Sequence, residues 1–301
     1  MANVKQQLEA ASIPSLGFAP ETYERRHFSE NYGALNTYFR KVTSVLGALF
    51  GPRGGKYLNI PHGAFQDNTD QIDGSPAVAY RMRYDTTDYS NGISITSKTA
   101  SFTATISNGG GSAGTTLNVT AVASGTIYPS MLITGTGITA NTSVSEQLTG
   151  TAGGVGTYRV SISQLVSPAV TVTGNLPSQI TVSQDGIYNL QYSAQFTSID
   201  TAPADIQVWF RINNVDIPNS ASTYEIPKQK NASTPSLIIL TLNYFASMND
   251  GDFIEIMWRV QSSNVWVESF PAITASGTTP AIPGTPSIIA TMTFVSNLPT
   301  V

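Results

Sequence analysis

His27 and His62 are the only two imidazoles in the chain. They fall in regions of different composition, so neither is expected beside the nucleophile and carboxylate that a hydrolytic triad requires. Asp67, Asp70 and Asp73 form an acidic group, but their spacing of three does not fit the Asp-x-Asp-x-Asp loop that wraps calcium. They read as solvated turn carboxylates. The glycine runs at Gly109-Gly110-Gly111, Gly135-Thr136-Gly137 and Gly153-Gly154-Val155-Gly156 lack the following Lys-Ser/Thr and the helix N-terminus that would hold a phosphate. The absence of cysteine excludes thiol chemistry, disulfides and thiolate metal sites. A polysaccharide depolymerase would need two carboxylates facing each other across a groove, and the acidic residues here are scattered. Trp266 and Tyr224 could stack on sugar rings, although aromatic side chains more often serve packing. The expectation is no enzyme: no catalytic residue, no cofactor and no metal.

Composition supports that reading. Charged residues are 11% of the 301, and hydrophobic residues 41%. Low charge with this apolar content argues for a folded chain rather than a disordered one. A net charge of −4 provides no attraction to nucleic acid or anionic membrane. No apolar run approaches the ~20 residues of a membrane span. Met1 leads into no apolar segment, so synthesis in the cytoplasm without a signal peptide is expected, and the sequons at Asn118, Asn141 and Asn231 carry little weight.

The elements that must carry any function are mostly strands. Asp185-Gly186 opens a run in which Tyr188, Leu190, Tyr192, Ala194 and Phe196 alternate with Asn189, Gln191, Ser193 and Gln195. Period two over that length is a strand with one buried face. Further strands are expected at 63–66, 78–84, 91–96, 180–182, 206–213, 253–260, 265–270 and 288–294. Leu237 to Phe245 reads as apolar on both faces and hence doubly covered. Asp88-Tyr89-Ser90 reads as a turn, Asn249-Asp250-Gly251 as a hairpin, and 271–285 as a loop. Between Thr99 and Gly174 the chain changes character. Glu146 and Arg159 are its only charges, and short alternating runs lie between glycine turns, as in a small β-sandwich.

Residues 1–60 differ again, holding seven of the 15 Lys and Arg. Short helices are expected at 4–11 and 20–28, and Ser29 is placed to cap a longer one. Within that helix Tyr32, Leu35, Phe39, Val42, Leu46 and Leu49 repeat at three and four, an a/d seam suited to anchoring or self-association. Gly51-Pro52 ends it, and Arg53-Gly54-Gly55-Lys56 forms a flexible basic joint. Trp209, Phe253, Met257 and Trp266 lie off the inward-facing sets and are the candidate interface between subunits.

The C-terminal layout resembles the trimeric jelly roll of the tumour necrosis factor and complement globular-head group, through Gly186 to Phe196, the Gly251-Asp252-Phe253-Ile254 strand and the final apolar strand. It is also similar to jelly rolls of tailed-phage structural proteins, through Asn91-Gly92-Ile93-Ser94, Val208-Trp209-Phe210-Arg211-Ile212-Asn213, Val215 to Ser220 and Pro286 to Ala290. Gly33 to Phe39 and Phe50 to Leu58 resemble the virion-attachment pieces of such proteins. Thr134 to Ile138 and Gly154 to Val160 resemble small immunoglobulin-like domains inserted in phage surface proteins. The resemblance implies a mainly β chain: a helical attachment region at 1–60, a discontinuous jelly roll at 61–98 and 175–301, and an inserted immunoglobulin-like β-sandwich at 99–174. It implies a homotrimer on the virion surface, a fibre or capsid decoration protein bound to capsid or tail proteins through residues 1–60. The alternative is a tail-fibre module that binds a host glycan or receptor.

Overall fold

The computed structural model describes residues 24–50, 60–72, 75, 76 and 78–298, with 14, 16, 21 and 22. The expected helix at 4–11, the joint at 53–56 and Asp73 lie outside the described residues. A helical unit, Met1–Ile60, and a β unit, Pro61–Val301, are distinct. In the helical unit, α1 spans Arg25–Phe50. It begins four residues before Ser29, so Ser29 is an internal helical residue and not its cap. Its described residues run to Phe50, and the expected stop at Gly51-Pro52 lies outside the described residues.

The β unit contains β1 (His62–Asp67), β2 (Tyr80–Arg81), β3 (Thr86–Asn91), β4 (Ile93–Ser107), β5 (Gly114–Gly125), β6 (Leu132–Gly135), β7 (Val144–Gln147), β8 (Gly156–Gln164) and β9 (Val166–Val182). These are followed by β10 (Gly186–Ser198), β11 (Ala204–Ile212), β12 (Val215–Asp216), β13 (Ser222–Ile226), β14 (Ser236–Met248), β15 (Phe253–Val260), β16 (Val265–Val267) and β17 (Ile288–Ser296). Eight of them, β1, β9, β10, β11, β13, β14, β15 and β17, form a jelly roll. First pairs with last (β1·β17), second with seventh (β9·β15), third with sixth (β10·β14) and fourth with fifth (β11·β13), all antiparallel. One sheet runs β14-β10-β17-β1-β3, and the other contains β11-β15-β9-β4.

The alternation that begins at Tyr188 gives β10 one buried face, and the strand lies inside the first sheet between β14 and β17. Tyr188, Leu190, Ala194 and Phe196 are buried against Ile206, Val208 and Phe210 of β11 and Ile254, Ile256 and Trp258 of β15. Aromatic side chains link the layers. Trp258 lies 5.0 Å from Tyr80 and 5.7 Å from Phe196, ring centre to ring centre, and Phe210 stacks on Tyr244 at 4.6 Å. Such contacts add to the hydrophobic gain of burial.

Three local expectations differ from the structure. Asp88-Tyr89-Ser90 is part of strand β3, paired with β1 through Tyr89↔Ala64. The Asn249-Asp250-Gly251 turn is present, closed by Asp252 N–H donating to the Asn249 carbonyl at 3.0 Å with Gly251 at φ 85°. It joins β14 to β15, which belong to different sheets, so it crosses the sandwich instead of closing a hairpin. β14 itself is an edge strand, with Leu237, Ile239 and Phe245 exposed, not covered on both faces.

The segment 99–174 has its own core, including Phe102, Leu117, Ile133, Tyr158 and Val172. It is not joined by a linker. β4 and β9 pair continuously from Ile93↔Val182 to Ile106↔Val166, so the expected boundary falls inside a ladder, at Thr99↔Asn175. The expected small sandwich is present with its layers joined at their edges. The order β6-β9-β4-β5-β8-β7 returns on itself through a Leu132↔Ser143 bridge, with Ile133 N–H donating to the Thr142 carbonyl at 2.9 Å. Its two charges sit side by side on β7 and β8, as a 2.7 Å Arg159–Glu146 ion pair.

Because Thr99 and Asn175 are ladder partners, replacing 99–174 with a short Gly/Ser linker should leave a jelly roll that melts cooperatively. Calorimetry showing no cooperative transition would refute this. The core also sets the alkaline limit. Burial pushes the Tyr188 hydroxyl up to about 12, and raises Tyr84 and Tyr192 as well. The neutral phenols are favoured in the folded state, so their contribution is complete below the unfolded value of about 10 and is lost as pH rises through the folded values. Denaturant midpoints should hold to about pH 10 and fall from there toward about 12.

Candidate functional site

In α1, spacings of four and three align Phe28, Tyr32, Leu35, Phe39, Val42 and Leu46 along one side. Phe28 and Tyr32 are each 65% exposed, Phe39 60% and Leu46 47%, while Leu35 and Val42 are half-buried. The Leu49 side chain lies outside the described residues. Phe28 was legible from its spacing of four before Tyr32, but the expected break at Ser29 hid it. The polar side is held by local pairs. Arg26 Nε donates to Glu30 Oε1 at 3.0 Å, an i,i+4 ion pair, and the Thr37 hydroxyl donates to the Gly33 carbonyl at 2.9 Å. Such pairs contribute only ~0.2–0.5 kcal/mol each. The exposed Tyr32, Phe39 and Leu46 give this helix an apolar seam of two heptads available for packing.

The residues expected at a subunit interface do not share one surface. Met257 is 1% exposed and thus covered by its own chain, which removes it from any interface. Trp209 is half-buried, and its indole donates to Asp216 Oδ1 at 2.8 Å. Phe253 is half-buried against Lys98, with the ammonium 5.0 Å from its ring centre. Trp266 is on the other sheet, paired with Thr197 of β10.

One group of exposed apolar residues in the β unit lies instead on the outer face of the β14-β10-β17 sheet. Leu237, Ile239 and Phe245 of β14 and Ile289 and Val295 of β17 are exposed there. Across the ladder Leu237, Thr197 and Trp266 form one row, and Thr241, Ser193 and Ile289 another. The outward-facing residues of these three long strands include no charge. A 13-residue edge strand with exposed apolar side chains is a ready template for pairing with another chain.

The histidines and acidic residues hold structure. His27 Nε2 and Asn31 Nδ2 are 3.0 Å apart on α1, and His62 packs 6.0 Å from the Tyr89 ring. Asp67 is buried, not solvated. Its carboxylate accepts from the Thr69 amide and hydroxyl at 2.9 and 2.7 Å and from Gln71 Nε2 at 3.1 Å. Burial raises its pKa, and nearby Arg83 opposes the rise. Asp70 accepts from the amide and hydroxyl of Ser269, each at 2.8 Å. No cluster of three or more metal-binding side chains occurs among the described residues.

One buried ionic group was not legible in the sequence. At the junction of the jelly roll and the inserted unit, Glu255 is fully buried and its Oε1 accepts from Arg81 Nε and Ser178 Oγ, both at 3.0 Å. Lys98 Nζ lies 3.7 Å from that oxygen and donates to Asn214 Oδ1 at 2.8 Å. Tyr128 from the inserted unit stands over both cations, 4.9 Å from Arg81 and 5.5 Å from Lys98. Burial lowers the Lys98 pKa, against the pull of Glu255. Alongside, Ser130 accepts from Arg83 Nη1 through its carbonyl at 3.1 Å and from the Arg81 amide through its hydroxyl at 3.2 Å.

No protein-family model matches the sequence, and no similar curated protein was found. No helix among the described residues is long and apolar enough to cross a membrane.

Substituting Phe39 and Leu46 with Ala removes exposed side chains. It should leave the far-ultraviolet circular dichroism and melting of the β unit unchanged while reducing assembly of the full chain. An unchanged sedimentation profile for the double variant would remove the seam from consideration.

Proposed function

We propose that this protein is a homotrimeric structural component of a tailed-phage virion, a fibre or capsid decoration protein displayed on the particle surface. Residues 1–60 attach it to capsid or tail proteins, and both β-domains lie distal to that attachment. The observation that carries the reading is the exposed heptad seam Tyr32–Leu46 in a chain whose β unit also exposes an uncharged apolar sheet face. Heptad seams bury their a and d residues against other helices. Chains gathered by such a seam hold their β-domains at high effective concentration. A second copy is therefore the favoured cover for the β14 face, because two uncharged faces meet without like-charge repulsion. The trimeric number and the phage setting rest on the resemblance described above.

The glycan-binding alternative draws less from the inserted unit. Its Phe102 and Tyr158 are core residues, and its Tyr128 packs on Arg81 and Lys98. No aromatic of that unit is left as a platform for a sugar ring.

Sedimentation of the full chain at micromolar concentration should give a trimer. Leu237→Asp with Ile239→Asp should shift the isolated β unit toward monomer without unfolding it, because both side chains are exposed. Phe39→Ala with Leu46→Ala should strip the protein from particles. A monomeric full chain would refute self-association, and full particle incorporation of a variant lacking residues 1–60 would place the attachment elsewhere.

A further inference from the structure

We propose that Lys98 and Asn214 join in an intramolecular isopeptide bond, with Glu255 carrying the protons. The three residues come from separate elements: Lys98 from β4, Glu255 from β15, and Asn214 from the turn between β11 and β12. Lys98 Nζ already lies 2.8 Å from Asn214 Oδ1, which places the side-chain amide carbon one bond beyond the contact atom. Holding the two reacting groups side by side in this way converts a slow bimolecular reaction into a unimolecular one.

The surroundings suit the reaction. The Lys98 side chain is only 11% exposed, under the rings of Tyr128 and Phe253. Burial of this kind disfavours the ammonium and increases the share of nucleophilic amine. Glu255 Oε1 is fixed by Arg81 and Ser178, whereas its buried Oε2 has no hydrogen-bond partner. A fully buried carboxylate oxygen left unsatisfied is costly in a folded protein, and a proton relay gives it a role. The Asn213-Asn214 turn is pinned as well. Both residues have left-handed φ values, 49° and 67°, and Asn213 Oδ1 accepts the Phe253 amide at 3.1 Å while its Nδ2 donates to Asp252 at 2.7 Å.

The chemistry balances without a co-reactant. The Lys98 ammonium gives a proton to the Glu255 carboxylate, and the neutral amine adds to Cγ of Asn214. The Nζ–Cγ bond forms. The remaining proton transfer, relayed by Glu255, moves a proton from Nζ to Nδ2. The Cγ–Nδ2 bond then breaks and ammonia leaves, taking the net proton into water as ammonium. Nothing is oxidised or reduced. The product links positions 116 apart and encloses the whole inserted unit within one covalent loop.

Intact-mass measurement of the full chain tests this. The mature protein should be lighter than its sequence by one ammonia, and a tryptic digest should contain a branched peptide joining the segments around Lys98 and Asn214. Lys98→Arg keeps the charge but should restore the full mass, and Asn214→Asp should lose water instead of ammonia. Wild-type protein at full sequence mass, cleaved by trypsin at Lys98 as at any lysine, overturns the proposal. So does a loss of ammonia that persists in Lys98→Arg, which would signal asparagine cyclising on its own backbone.

Discussion

The β4–β9 ladder is the interaction on which the architecture depends. Two strands of 15 and 17 residues run through both β-domains and contribute to both cores. The even-numbered residues of β9 serve one after the other: Val182 and Ile180 in the jelly roll, then Leu176 and Val172 in the inserted unit. β4 turns one face to each core: Ile93 and Ile95 face the first, whereas Ala100, Phe102, Ala104 and Ile106 face the second. At the register shift Thr96 pairs with Gln179 and Ser97 with Pro177, so the extra residue is Ser178 of β9, and it carries the even-numbered positions of β9 from one face to the other. An extra residue in one strand resets the alternation that a continuous ladder would otherwise preserve. Pro177, which has no amide hydrogen to donate, sits opposite Ser97 at that irregularity, a position where proline is tolerated within a sheet.

Legibility in the sequence followed the range of the interactions involved. The β10 alternation, the seam of α1 and the runs in β5 and β8 are properties of neighbouring residues and could be read directly. The Thr99 boundary was read from a change in composition, and it coincides with the end of the jelly-roll core although not with the end of any strand. What could not be read is what covers a strand. β14 carries apolar residues on both faces, which suggests double burial, yet one face is exposed because its sheet ends there. Met257 was assigned outward on the same logic and is covered by its own chain. The ionic junction depends on residues from β2, β4, the β11–β12 turn and β15, whose proximity arises only from the jelly-roll winding. No local spacing marks it.

The junction explains why a nearly uncharged inserted unit keeps its single aromatic contact with the jelly roll at Tyr128. A two-stranded ribbon resists stretching but can twist or bend about its length, as strands do. Tyr128 and Ser130 engage Arg81, Arg83 and Lys98 to one side of the ribbon. That lateral contact supplies the bracing that a ladder alone lacks. A second brace is the Ser75 hydroxyl donating to Glu146 Oε2 at 2.8 Å.

The closure of the inserted unit has a consequence for crowding. Its ladder passes through six strands and returns on itself at Leu132↔Ser143, so these strands present little open hydrogen-bonding edge to a neighbour. Its surface consists mainly of threonine, serine and glycine with one internally paired ion couple. Two such units brought side by side have few strand edges to zip together and no net charge to drive them apart. Two copies of this unit in contact therefore have little open backbone through which to extend a sheet from one to the other.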